Sequence, residues 1–294
     1  MVTIPAKTII ARVKRPADWF GAEYNMNIYR GCSHGCIYCD SRSDCYRNVD
    51  FDTVKVKDNA LRIIRDELRR KVRSGVIATG AMSDPYNPLE QQMRLTRNAL
   101  ELINAFGFGV AIDTKSALVA RDTDVLQDIK VHSPVIVKLT VTTSDDALCM
   151  MLEPNVASSS ERFAALKKLT DAGIYAGVLM MPLLPFINDT EENITQILVS
   201  AKSAGAGFVY PALGMTLRSG NREYFYEQLD RLFPGLRQRY IEHYGDRYNC
   251  SSPRTKKLWA AFKAGCEELG LLYNMGDIIS RSRVGYKERQ LSFF

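Results

Sequence analysis

The chain has 294 residues, 46% apolar and 24% charged, a balance that suits a globular fold with a large buried core and excludes a disordered segment. Its formal net charge of +6 permits a polyanionic partner without demanding one. No apolar run is long enough to span a bilayer, and the opening MVTIPAKTIIARVKR lacks the charged, apolar, small-residue order of a secretory signal, so no membrane association and a cytoplasmic protein are expected.

From about residue 26 to 211, short β-branched or apolar runs alternate with segments of helical periodicity, the pattern of parallel strands joined by crossover helices. The first candidate strand is Met26–Arg30. Directly after it comes GCSHGCIYCDSR, which packs three of the seven cysteines into eight residues and suits metal binding in a reducing compartment better than a disulfide framework. Thiolates in this CxxxCxxC spacing on a tight loop can converge on three irons of a cubane and leave the fourth iron without a protein ligand. The alternative is a zinc site with His34 or Cys45 as fourth ligand, although no second CxxC or HxxxH pair follows.

An apolar stripe of Leu61, Ile64, Leu68 and Val72 precedes the second candidate strand, Val76–Gly80, and Leu95, Ala99, Leu102 and Phe106 precede the third, Phe108–Asp113. The fourth is Pro134–Val141. A further stripe of Phe163, Leu166 and Leu169 leads to Tyr175–Met181, and Gly207–Pro211 is the sixth. Pro182, Pro185 and Pro211 stand just after strands, where the chain leaves a sheet, and such strand ends are where α/β sheets place their chemistry. Beyond Pro211 the strand pattern stops, and Glu223–Phe233, Leu236–His243 and Pro253–Leu269 are expected to be helices. The expected division is an N-terminal extension over 1–25, a barrel over 26–211 and a helical C-terminal extension with a basic tail over 212–294.

Five segments, YRGCSHGCIYCDSR, SDPYNPLEQQMRLTRNALELI, TKS, VKLTVTTSDDALCMMLEP followed by Arg162, and AGVLMMPLLPFIND, carry a resemblance in both wording and order. Together they resemble the radical S-adenosylmethionine (SAM) superfamily, and within it the spore photoproduct lyase-like, or DNA repair photolyase-like, proteins. The resemblance covers most of residues 26–211. It implies an α/β fold, a partial (β/α)6 TIM-type barrel, with a 4Fe-4S cluster on Cys32, Cys36 and Cys39 and SAM at the C-terminal ends of the strands. It also implies reductive cleavage of SAM to a 5′-deoxyadenosyl radical, supplied with electrons by a reductant such as flavodoxin or ferredoxin.

The resemblance extends to the residues around SAM. Tyr38 falls where many relatives place an aromatic residue near the adenine; plain loop packing is the other reading. Ser83 and Asp84 are expected to hold the methionyl ammonium, which a hydroxyl and a carboxylate can accept, while Asp84 can alternatively organise the Asp-Pro turn. Lys115 would bind the SAM carboxylate or ribose. Thr140 and Thr142 share one face of the fourth strand, from which one hydroxyl would reach SAM. Arg162 would fork onto the SAM carboxylate, or else lie on the surface of a helix. Asn188 and Asp189 follow the fifth strand, where they would line the substrate mouth or form a turn.

One departure separates the chain from spore photoproduct lyase, which carries a hydrogen-donating cysteine just ahead of its Thr-Ser-Asp turn. Here the run is Ala81-Met82-Ser83-Asp84, so the donor thiol is missing. Cys45 and Cys149 are poorly placed to replace it, and Cys149, Cys250 and Cys266 read as small buried hydrophobes.

Two basic stretches lean towards DNA: Arg69, Arg70, Lys71 and Arg73, and the segment from Pro253 onward, with eight Lys or Arg against four acids. Radical modification of RNA, a peptide or a metabolite is the alternative, and a non-catalytic zinc-binding module is the alternative of another class. The closing Gln290-Leu291-Ser292-Phe293-Phe294 resembles, apart from Phe293, the short motif with which bacterial repair and replication proteins grip a sliding clamp; folding back onto the barrel is the other reading.

Overall fold

A computed structural model of the chain describes residues 2–48 and 50–286, so the expectation for residues 290–294 lies outside the described residues. Its centre is a seven-stranded sheet made of β1 (Ile10–Arg12), β2 (Tyr24–Met26), β3 (Val76–Thr79), β4 (Gly109–Thr114), β5 (Val135–Thr140), β6 (Tyr175–Met180) and β7 (Phe208–Pro211). The strands lie in the order β7-β6-β5-β4-β3-β2-β1, and all neighbours are parallel except β1, which runs antiparallel to β2. Six parallel strands with helical crossovers form the partial barrel.

Period-2 alternation divides the sheet into two faces. Ile77, Val110, Ile112, Val137, Leu139 and Val178 face outward into the main core. There they meet α1 (Ala60–Arg69), α2 (Leu95–Ala105), α3 (Thr123–Lys130), α5 (Ser159–Asp171) and α6 (Glu191–Ser203) through residues such as Ile64, Ala99, Leu126, Leu166, Leu169 and Ile197, while the short α4 (Asp146–Leu152) lies between β5 and α5. Val76, Ala78, Ala111, Ile136, Leu179 and Phe208 face inward, around Phe20 and Ile278. Two of the expected apolar stripes are displaced. The first helix ends at Arg69, which leaves Val72 61% exposed, and the buried face of α2 runs through Leu100 and Ile103 rather than Leu102 and Phe106.

The first expected strand is divided between two sheets. The chain leaves the large sheet at Met26, and Tyr29–Arg30 pairs instead with Lys55–Lys57, which in turn pairs with Val2–Ile4. The cysteine loop therefore leaves a small sheet of its own rather than a barrel strand.

Strand structure also continues past Pro211, contrary to the sequence expectation. Gly214–Thr216 (β8) and Asn249–Ser251 (β9) form an antiparallel pair too short to show an alternating pattern. Between them lie α7 (Asn221–Leu232) and α8 (Leu236–Tyr244). The next helix, α9 (Thr255–Leu269), contributes Leu258, Phe262 and Cys266 to the barrel's own core. A Cβ at Gly265 would come within 2.7 Å of Leu198 Cδ1, so this glycine permits the close approach of α9 to α6. Leu272 then bridges to β7, where Val209 N donates to Leu272 O at 2.9 Å.

Candidate functional site

The cysteine loop owes its shape to two glycines and to the segment facing it. Gly31 has φ +79°, and a Cβ there would lie 2.5 Å from Thr53 O; Gly35 has φ +72° and meets Pro154. Cys32 N donates to Phe51 O at 2.8 Å and Ile37 N to Leu152 O at 3.0 Å. Residues 33–34 are tied to Asn155, whose N donates to His34 O at 3.1 Å and whose Nδ2 donates to Ser33 O at 3.0 Å. Loop backbone that would otherwise be unpaired is thereby satisfied.

All three cysteines are free thiols, Cys36 buried and Cys32 and Cys39 half-buried. Burial pushes the Cys36 thiol well up, with Glu153 and the other two cysteines adding to the shift and Lys115 opposing it. Cys39 is raised for the same first reason, with Cys32 next. The three thiols are thus near enough for each to feel the charge of its neighbours. Burial works against the Cys32 thiolate as well, but a hydrogen bond and charge from His34 outweigh it and bring this thiol below its ordinary value.

His34 is 4% exposed, and its Nδ1 lies 3.5 Å from Asp84 Oδ2. Burial disfavours its charged form, but Asp84 and Cys32 raise its pKa. It thus braces the loop from behind. Cys45 is exposed and lies 3.4 Å from Arg218 Nη1. Among the described residues no three His, Cys, Asp or Glu side chains, the loop cysteines included, stand at the spacing of a single metal ion. Three cysteines on one short loop match the number of protein ligands that a cubane with one open iron takes.

The other expected residues cluster at the same end of the barrel, several with roles in bracing. Ser83 Oγ donates to Gly31 O at 2.5 Å. Asp84 Oδ1 accepts from Tyr86 N at 2.8 Å and Thr114 Oγ1 at 2.7 Å, and its Oδ2 accepts from Lys115 N at 2.8 Å. Turn and strand end thus occupy the Asp84 carboxylate. Lys115 follows β4, and its Nζ lies 5.7 Å from the Tyr38 ring centre. Burial opposes the Lys115 charge, yet Cys36 and Glu153 raise its pKa, so it stays cationic beside the thiols.

Thr140 ends β5 on the inner face, whereas Thr142 lies beyond the strand, buried, with no partner for Oγ1. Asn188 and Asp189 are buried braces rather than mouth residues. Asn188 Nδ2 donates to Thr142 O at 2.8 Å, and Asp189 accepts from Phe186 N at 2.7 Å and from the Ser252 hydroxyl.

Arg162 is fully buried, which overturns the surface-helix reading. Its Nη2 lies 2.5 Å from Glu153 Oε2, its Nη1 donates to Thr140 O at 2.8 Å and its Nε to Ala157 O at 2.8 Å. Tyr38 is buried as well, and its hydroxyl donates to Glu153 Oε1. Sequence reading overlooked Glu153. Its one available signal was a carboxylate in an otherwise apolar run, MMLEP, just before Arg162.

The family model of the Radical SAM superfamily matches residues 26–198. The chain belongs to the radical SAM superfamily. Its cofactors are therefore a 4Fe-4S cluster and SAM, and the three free thiols of the loop, the adjacent Lys115 cation and the unpaired Thr142 hydroxyl suit that pair. It is 34% identical over 228 residues to an uncharacterized protein of Mycobacterium tuberculosis, covering 75% of this chain and 67% of the relative. An uncharacterized protein of Methanocaldococcus jannaschii is 34% identical over 194 residues, 65% of this chain and 70% of that one.

This radical SAM fold is similar to that of a spore photoproduct lyase mutant solved with AdoMet and dinucleoside spore photoproduct, with TM-score 0.68, 15% identity, and 91% and 78% of the two chains covered. The methyltransferase TsrM from Kitasatospora setae, solved with cobalamin and a 4Fe-4S cluster, gives TM-score 0.55 at 12% identity over 88% and 60% of the chains. Among the described residues of the radical SAM protein, no helix is long and apolar enough to cross a membrane.

Because the Asp84 carboxylate supports His34, the turn and the start of the Lys115 segment, Asp84→Ala is expected to lower iron content and SAM affinity together. Anaerobic reconstitution followed by iron assay and equilibrium SAM binding checks this. Full iron with SAM affinity alone reduced would instead assign the carboxylate a direct contact with SAM.

Proposed function

We propose that this protein is a radical SAM enzyme that acts on DNA carrying a damaged or modified base, with Cys32, Cys36 and Cys39 as cluster ligands. The observation that carries the chemistry is the loop itself: three free cysteines share one short loop, while His34 is engaged by Asp84 and Cys45 by Arg218. When bound, the cluster and SAM supply reductive cleavage of a carbon–sulfur bond and hence a radical able to abstract hydrogen from substrate.

The chain's own residues position and neutralise. Lys115 offers a cation to the SAM carboxylate beside the thiols, and Thr142 offers an unpaired hydroxyl. Arg162, held by Glu153 and two carbonyls, orders the end of β5 instead of forking onto SAM. DNA is favoured by the similarity of fold to an enzyme solved with a dinucleoside lesion, and by the net positive charge. A repair lyase of this kind would need its hydrogen donor elsewhere, because the candidate position is Ala81, on the exposed face of the turn.

The reduced, reconstituted protein is expected to convert SAM to 5′-deoxyadenosine and methionine, and to do so faster with lesion-bearing duplex than with undamaged duplex. With deuterated SAM, deuterium exchange into the oligonucleotide locates the abstracted hydrogen. DNA affinity is expected to fall steeply with added salt as counterions are displaced. Cleavage unaffected by any oligonucleotide, with no binding at low salt, would turn the reading to a peptide or metabolite substrate.

A further inference from the structure

We infer that Glu153 is the positioning residue of the cluster loop: its buried carboxylate, anchored by Arg162, holds Tyr38 and thereby fixes Cys36 and Cys39 in the arrangement that receives the cluster. The inference rests on the cluster assignment proposed above. A carboxylate side chain with no exposed surface, paired with a guanidinium that also has none, is expensive to desolvate, and a well-packed apolar pair in the same volume is often at least as stable. The position of Glu153 in the fold shows what the pair accomplishes.

Glu153 belongs to the strip Leu152–Asn155, which lies along the cysteine loop. Ile37 N donates to Leu152 O, the Tyr38 hydroxyl to Glu153, Asn155 N to His34 O and Asn155 Nδ2 to Ser33 O. Pro154 fills the space beside Gly35. Three of these contacts involve backbone or an exposed amide, and Glu153 supplies the buried, charged one. Its target sits between the second and third cysteines, since Tyr38 directly precedes Cys39 and follows Cys36 by two positions.

The anchor is equally specific. Arg162 spends its remaining donors on Thr140 O, Ala157 O and Cys149 Sγ, at 2.8, 2.8 and 3.4 Å, so the carboxylate is fastened to the end of β5 and to the start of α5. Burial would neutralise Glu153, but Arg162 and then Lys115 hold its pKa below the usual carboxylate value. The chain β5–Arg162–Glu153–Tyr38 thus runs from the rigid barrel to the ligand loop, and each contact in it is charge-assisted or buried.

The test follows iron rather than turnover. Tyr38→Phe removes only the hydroxyl and leaves the Glu153–Arg162 pair intact, while Glu153→Gln removes the charge at constant shape. Each reconstituted variant is challenged anaerobically with an iron chelator, and the thermal stability of each cluster-free form is measured beside it. Loss of one charge-assisted hydrogen bond outside the ligand set typically costs about tenfold in retention. Tyr38→Phe is therefore expected to release iron about tenfold faster than the parent while its cluster-free form still folds, and Glu153→Gln at least as fast. The double variant should release iron no faster than Glu153→Gln alone, because the two residues share one contact. Release from Tyr38→Phe at the parental rate overturns the inference even if Glu153→Gln is unstable, since Glu153 would then serve the fold and not the loop. Failure of the parent protein to take up a cluster would strike the proposed function instead.

Discussion

Cys36→Ala is expected to abolish SAM cleavage and to leave the reconstituted protein short of cluster iron. Cys36 is the most enclosed of the three thiols, 7% exposed, and its neighbours leave no substitute donor in its place. His34 is turned towards Asp84, Glu153 is held by Tyr38 and Arg162, and Lys115 is a cation. Two thiolates hold a cubane poorly, and an incomplete cluster cannot deliver an electron to a bound sulfonium. Iron and sulfide analysis together with chromatography of 5′-deoxyadenosine provides the measurement. Retained cleavage in the variant would remove Cys36 from the ligand set, while zinc bound stoichiometrically in the parent protein would reverse the cofactor assignment.

Arg162→Met is expected to destabilise the protein by about 3–5 kcal/mol, the usual consequence of leaving one partner of a buried ion pair without its counter-charge. Glu153 would then face Cys36 and Cys149 in a site with no exposed surface, with only Lys115 to offset its charge. Denaturant unfolding of the cluster-free protein reads the effect. The double variant Arg162→Met, Glu153→Met should recover most of the lost stability, because two matched apolar side chains remove the desolvation cost. It should nevertheless remain defective in holding iron, because Tyr38 has lost its tether. A single variant as stable as the parent would mean that water or Lys115 compensates the carboxylate.

The sequence alone determined the features carried by short-range patterning. CxxxCxxC with one glycine directly before it and one inside it specifies three thiols on one tight loop, since the cysteine spacing and the positive-φ positions are properties of the loop itself. The parallel strands were legible because buried strands are short apolar runs, and their order along the chain repeats in space when crossovers are regular. The burial of Cys149, Cys250 and Cys266 followed from their apolar neighbours.

The tertiary structure decided how charges pair across distance. Nothing local distinguishes Arg162 from a surface helix arginine, because its burial depends on Glu153, nine residues earlier, and on the carbonyl at the end of β5. Asp84 reads as a partner of the SAM ammonium or as the organiser of the Asp-Pro turn, and its occupation by Thr114 and Lys115 depends on the neighbouring strand arriving beside it. The same reason explains why β8 and β9 and the docking of α9 on α6 escaped the sequence reading. Three-residue strands and a helix that buries one stripe show where a segment is apolar, whereas only the packed chain shows which surface covers it.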